Sequence, residues 1–106
     1  MPVTQVKGSE FEREVLQHDG IVVVDFYAQW CPPCRALAPL LDRFAQENAD
    51  RVKVVKVDTD TDEDLAARYG VRTIPTLIAF KGGQEVARAI NPQSRAKLEE
   101  LIAAAG

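Results

Sequence analysis

The sequence predicts an α/β fold, with one central mixed sheet of five strands flanked by four helices on both faces. Three observations lead there. Strand-like and helix-like stretches alternate in the order β-α-β-α-β-α-β-β-α, the pattern of parallel strands joined by right-handed crossovers. The run Ile21–Tyr27 is β-branched or aromatic throughout except at Asp25, as in a strand buried on both faces. Two further strand-like runs, Thr76–Lys81 and Glu85–Ile90, close on Gly82-Gly83 as a hairpin that adds an antiparallel edge. At 106 residues the chain has room for one domain, 1–106, and one core.

In order, Thr4–Val6 reads as a weak edge strand. Ser9 is placed to cap a short helix over Glu10–Gln17, where Phe11, Val15 and Leu16 fall near helical spacing. After the Ile21–Tyr27 strand, Ala36, Leu37, Leu40, Leu41, Phe44 and Ala45 recur at the 3.6 period, which predicts an amphipathic helix from Cys34 to Asn48. Pro39 interrupts it, removes one backbone hydrogen bond and should kink the axis. Val52–Asp58 is the third strand, and the Asp-Thr stretch after it is placed to cap a helix through Leu65 to Tyr69. Gly70 suits the left-handed end of that helix. A last helix covers Ser94–Ala104, apolar at Leu98, Leu101 and Ile102.

Composition excludes several function classes. An apolar content of 46% with 27% charged residues is that of an ordinary globular protein. The net charge of −3 and the lack of a basic stripe give no reason to expect nucleic acid. No apolar run approaches the roughly 20 residues of a membrane span. Met1 to Glu10 has neither the basic start nor the apolar stretch of a signal peptide, so cytoplasmic residence is the expectation.

Cys31 and Cys34 are the only cysteines. They stand between the apolar strand and the amphipathic helix, and a Cys-x-x-Cys at such a junction of a βαβ pattern reads as a dithiol redox site. Residues three apart on a helix have Cβ atoms roughly 5–6 Å apart, a modest adjustment from the roughly 3.5–4.5 Å of a disulfide. The alternatives are a staple and a metal site. A ring this small stabilises by only about 2 kcal/mol in the chain-entropy model. Zinc usually needs four ligands, and the single histidine, His18, lies in a turn-like cluster, so no metal is expected. Asp25 is the second informative residue: a carboxylate inside a buried strand loses hydration, which raises its pKa. The plainer reading is a strand face that is wet at that point.

With Val-Asp-Phe-Tyr-Ala-Gln-Trp-Cys-Pro-Pro-Cys-Arg at 24–35 and Val-Arg-Thr-Ile-Pro-Thr-Leu at 71–77, the chain closely resembles the thioredoxin family over nearly its whole length. The resemblance implies the thioredoxin fold and a reversible Cys31–Cys34 disulfide that reduces disulfides in client proteins, with no bound cofactor. It also implies electrons from NADPH through a thioredoxin reductase-like flavoprotein, a monomer, and a part in electron transport and cell redox homeostasis. Cys31, at the mouth of the helix where unpaired N–H groups favour negative charge, is the expected nucleophile. Cys34, one turn deeper, is the expected resolving thiol, less exposed and less acidic than Cys31.

Carried over residue by residue, Asp25 assists proton removal from the resolving cysteine. Lys56 matches the family's lysine beside that carboxylate, its plainer reading being a strand lysine that snorkels to water. Pro75 matches a cis proline facing the cysteines, which would leave the Ile74 backbone free to pair with an extended client. Trp30 and Ile74 look like the apolar contact patch, with Pro32 and Pro33 in the groove; for Trp30 the alternative is a core tryptophan.

Three departures stand out. Pro32 replaces the usual glycine, so the motif also looks like that of tryparedoxins and nucleoredoxins, and two prolines remove two backbone donors near the sulfur. Tyr27 stands where the family usually has tryptophan. Asn91-Pro92 replaces the usual Gly-Ala beside the substrate groove and adds bulk there. The competing functions are a disulfide oxidase or isomerase of an oxidising compartment, a tryparedoxin-like redox protein, and a non-catalytic binding module using the same groove.

Overall fold

A computed structural model describes residues 3–106. Strands β1 (Val3–Gln5), β2 (Ile21–Tyr27), β3 (Val52–Asp58), β4 (Thr76–Lys81) and β5 (Gln84–Ile90) form one sheet in the order β1-β3-β2-β4-β5. β1, β3 and β2 run parallel, while β4 pairs antiparallel with both β2 and β5. The expected mixed sheet with its antiparallel edge is the observed one. Helices α1 (Pro32–Glu47), α2 (Glu63–Arg68) and α3 (Arg95–Ala105) accompany it.

β2 is central because it buries both of its faces. Val23 joins Leu37, Leu41 and Phe44 of α1 and Leu98, Leu101 and Ile102 of α3 in one cluster. Val22, Val24 and Phe26 belong to the opposite cluster, with Phe11, Val15, Leu65 and Phe80. Side chains alternate along a strand, so Asp25 falls on the Val23 face, the face that α1 covers. Its register partners are Lys56 on β3 and Leu77 on β4. The sheet thereby carries a carboxylate beneath the start of α1.

The expected helix over Glu10–Gln17 needs correction. The segment is a 3-10 turn at Gly8–Glu10 followed by a π-helical turn at Glu12–Leu16, and Ser9 does not cap it. The Glu10 carboxylate accepts the Lys7 N–H, and the Asp62 carboxylate accepts the Gly8 N–H at 3.0 Å. A Cβ on Gly8 would stand 2.7 Å from Asp62 Oδ1, so a side chain there would push the carboxylate aside. The same bond corrects the expected capping of α2: Asp62 holds the cap position, but its side chain makes no cap bond there. Elsewhere local chemistry suffices. Ser94 caps α3 through the Lys97 N–H, and Gly82 and Gly83, both at positive φ, close the hairpin.

Candidate active site

α1 begins two residues earlier than its periodicity predicts, because Pro32 and Pro33 fill its first two positions. Proline suits the first turn, where its missing N–H costs nothing, and it holds the preceding residue extended. Cys31 is accordingly extended, at φ −82° and ψ 114°, and serves as the N-cap. Its Sγ accepts the Cys34 N–H at 3.3 Å. Both cysteines are free thiols.

Cys31 is not the more exposed residue, contrary to expectation: both are buried, Cys31 at 2% and Cys34 at 4% exposure. The loop before β4 covers it. Its thiol points at the Ile74 carbonyl, 3.8 Å away, and the pair packs with Ala28, Tyr27 and Ile74. A helix start considered alone is open to solvent; the facing loop closes it. Burial pushes the Cys34 thiol up to about 12, assisted by its hydrogen bond with Cys31 and by the charge of Asp25.

Asp25 is buried, so the wet-strand alternative falls. Its Oδ1 is the only buried side-chain polar atom without a partner among the described residues. Loss of hydration raises its pKa to about 7, against the opposing pull of Lys56. Lys56 is half-buried and forms no ion pair with Asp25 among the described residues; its ammonium stands 5.3 Å from the centre of the Tyr27 ring. Asp25, Tyr27, Cys34, Arg35 and Lys56 line one cavity of about 220 Å³. The carboxylate and the deeper thiol thus share a wall, with the lysine at its side.

The outer rim is apolar and hydrogen-bonded from behind. Trp30 is 64% exposed, which excludes a core tryptophan, and its indole N–H donates to Asp60 Oδ2 at 2.9 Å. Pro32 is exposed and Pro33 and Ile74 half-buried. The Ile74–Pro75 bond is cis, and Pro75 is buried with its carbonyl accepting the Asn91 N–H at 2.8 Å. Asn91 is exposed and left-handed at φ 50°, the conformation a glycine takes without strain. Pro92 is buried, so the bulk offered beside the groove is that of Asn91 and its neighbour Gln93.

Two contacts of this site are new to the structure. Asp60 carried a signal only as part of the Asp-Thr stretch, taken for a helix cap. Gln93, which donates to the Pro33 carbonyl, carried none. Among the described residues no group of three His, Cys, Asp or Glu side chains is placed to hold a metal ion.

The arrangement is a dithiol at a helix start with a poised carboxylate behind it. The thioredoxin family model matches residues 2–104. Thioredoxin 1 of Nostoc sp. is 46% identical over 98 residues, 92% of either chain. The thioredoxin of Porphyra purpurea is 43% identical over 102 residues, 96% of this chain and 95% of its own. That of Pseudomonas aeruginosa is 39% identical over 100 residues, 94% and 93% of the two chains.

Proposed function

Because the chain belongs to the thioredoxin family, we propose that the residues gathered beyond the end of β2 divide the steps of a dithiol reductase among them. The protein is a thiol-disulfide oxidoreductase that reduces disulfides in client proteins through the Cys31–Cys34 pair. Cys31 is the attacking sulfur. Once its proton has passed to solvent, it forms a bond to one client sulfur as the client S–S bond breaks, and the displaced sulfur takes a proton from solvent. Cys34 then gives up its proton, attacks Cys31 Sγ and expels the second client sulfur, which takes up a proton in its turn. The client gains two electrons and two protons, and the chain ends with the Cys31–Cys34 disulfide.

Asp25 is the base in the second half. A thiol held up to about 12 releases its proton slowly at neutral pH unless a neighbour takes it. A general base works best with a pKa near the operating pH, and burial brings Asp25 to about 7. Lys56 favours the charged carboxylate and so readies it to accept. The observation that carries this reading is the unpartnered Asp25 Oδ1 on the cavity it shares with Cys34.

Trp30, Pro32, Pro33, Ile74, Pro75 and Asn91 form the client groove. Trp30 and Ile74 supply apolar contact area, and the Ile74–Pro75 backbone faces an extended client segment. Two electrons return to the disulfide from a flavoprotein reductase charged by NADPH. The chain works as a monomer in the cytoplasm, serving electron transport and redox homeostasis.

Insulin reduction by dithiothreitol tests the activity. The chain should speed precipitation of the reduced B chain severalfold at catalytic amounts, and Cys31→Ser should leave only the uncatalysed rate. A wild-type chain that adds nothing to dithiothreitol alone contradicts the reading.

A further inference from the structure

Proline has no backbone N–H, so Pro32 and Pro33 leave the Cys34 N–H as the first helix donor available to the Cys31 sulfur. That N–H belongs to the Pro33–Cys34 peptide. The carbonyl of the same peptide accepts a hydrogen bond from Gln93 Nε2 at 2.8 Å. The other proton of this nitrogen goes to Asn91 Oδ1, at 2.7 Å. Asn91 is itself anchored by its N–H to the Pro75 carbonyl, at 2.8 Å. A continuous hydrogen-bonded chain therefore runs from the Pro75 loop through Asn91 and Gln93 to the Pro33–Cys34 peptide, and from there to the sulfur.

A peptide is planar and conjugated. A hydrogen bond at its oxygen draws electron density from its nitrogen and strengthens the N–H as a donor, which is why chained hydrogen bonds reinforce one another. We propose that Gln93 is a positioning residue for disulfide exchange, orienting and polarising the Pro33–Cys34 peptide so that the Cys34 N–H meets negative charge on Cys31. Gln93 acts through that peptide and touches neither sulfur. The proposal rests on the reductase reading for the role of Cys31. The charged and titratable side chains around the cysteine pair are Cys34 and Arg35 on α1, Asp25 and Tyr27 on β2 and Lys56 on β3. Gln93 is uncharged, so a neutral replacement leaves their field in place.

Gln93→Met keeps the length of the side chain without its donors, at an exposed position that folding tolerates. The thiolate ultraviolet absorbance at neutral pH and the rate of Cys31 alkylation by iodoacetamide should each fall about threefold, the order of one modest hydrogen bond. The Cys34 amide proton resonance should move upfield, and Gln93→Leu should repeat all three changes. Asn91→Gly, which removes the acceptor that steers Gln93, should give a smaller loss and add nothing on top of Gln93→Met. Unmoved absorbance, alkylation and amide resonance in folded Gln93→Met overturn the proposal. So does the lack, in the wild-type chain, of a nuclear Overhauser contact between the Gln93 side-chain amide and Pro33 or Cys34, a measurement that needs no variant. None of these readouts involves a client, so a chain inert to insulin defeats the reductase reading while these results still decide the role of Gln93.

Discussion

Two large apolar clusters fill the faces of the sheet, and a third, much smaller one surrounds the cysteines. The large clusters are made of aliphatic and aromatic side chains from β1 to β4 and the helices, packed without an unpaired polar atom. The small one holds Ala28, Cys31 and Cys34, borders a cavity, and lies beside the one buried carboxylate that, among the described residues, has an oxygen without a partner. Both environments are buried, yet burial does opposite things in them. Around Val22 or Leu98 it stabilises, because apolar surface leaves water. Around Asp25 and Cys34 it destabilises charge, and the displaced pKa values are what exchange chemistry uses. Stability and reactivity are separated by one residue step along β2, from Val24 to Asp25.

Changing the sulfur should break the comparison most completely. Cys31→Ser should abolish insulin reduction while the melting temperature moves only a few degrees, since the small cluster contributes little to the fold. A variant that loses its melting transition along with activity would mean that the cysteines belong to the structural core.

Asp25→Leu, close in shape and apolar, extends core character to the edge of the small cluster. Resolution of the mixed disulfide should slow about 100-fold in stopped-flow measurements, the low end of general-base contributions. Stability should change in the opposite direction. The folded chain holds the Asp25 proton up to about pH 7, whereas the ordinary carboxyl releases it near 3.8. The folded state therefore binds more protons across that window, and wild-type stability falls as pH rises through it. Urea titrations should show Asp25→Leu gaining on wild type from about pH 4, by about 4 kcal/mol at pH 7 and with no further change above. A constant difference across that range would remove the buried carboxylate from the account.

Leu98→Ala probes the other side. Leu98 is 1% exposed in the α1–α3 cluster, and its truncation should cost about 3 kcal/mol in urea melts. The rate constant per folded molecule should stay within about twofold of wild type, as the change leaves the site's charges in place. Trp30→Phe should have the smallest effect. It keeps the aromatic face but loses the bond to Asp60, so the rate with protein disulfides should fall about threefold. An unchanged rate would place the indole outside the client groove.

The sequence was most legible where bonds are local. Val52–Asp58 matches β3 residue for residue because valine stands at four of its seven positions, and Gly82-Gly83 closes the hairpin because both positions need positive φ. Asp25 was legible as buried because apolar residues stand on both sides of it. The misreadings share a different cause: each depends on a partner far along the chain. The cap expected at Ser9 gives way to Asp62, 54 positions from Gly8. The cover over Cys31 comes from Ile74, 43 positions on. Asp60 meets Trp30 across 30 positions, and Gln93 meets Pro33 across 60. Periodicity and capping rules describe neighbours on one element, so they assign the strand and the motif but leave out the loops that close over them.

The division of labour between the two sulfurs is tested most directly by trapping the mixed disulfide. Cys34→Ser should accumulate a covalent adduct with oxidised insulin, seen by intact-mass spectrometry and mapped to Cys31, while Cys31→Ser should form none. An adduct on Cys34 in the Cys31→Ser chain, or no adduct in Cys34→Ser, would contradict the assignment of attacking and resolving sulfurs.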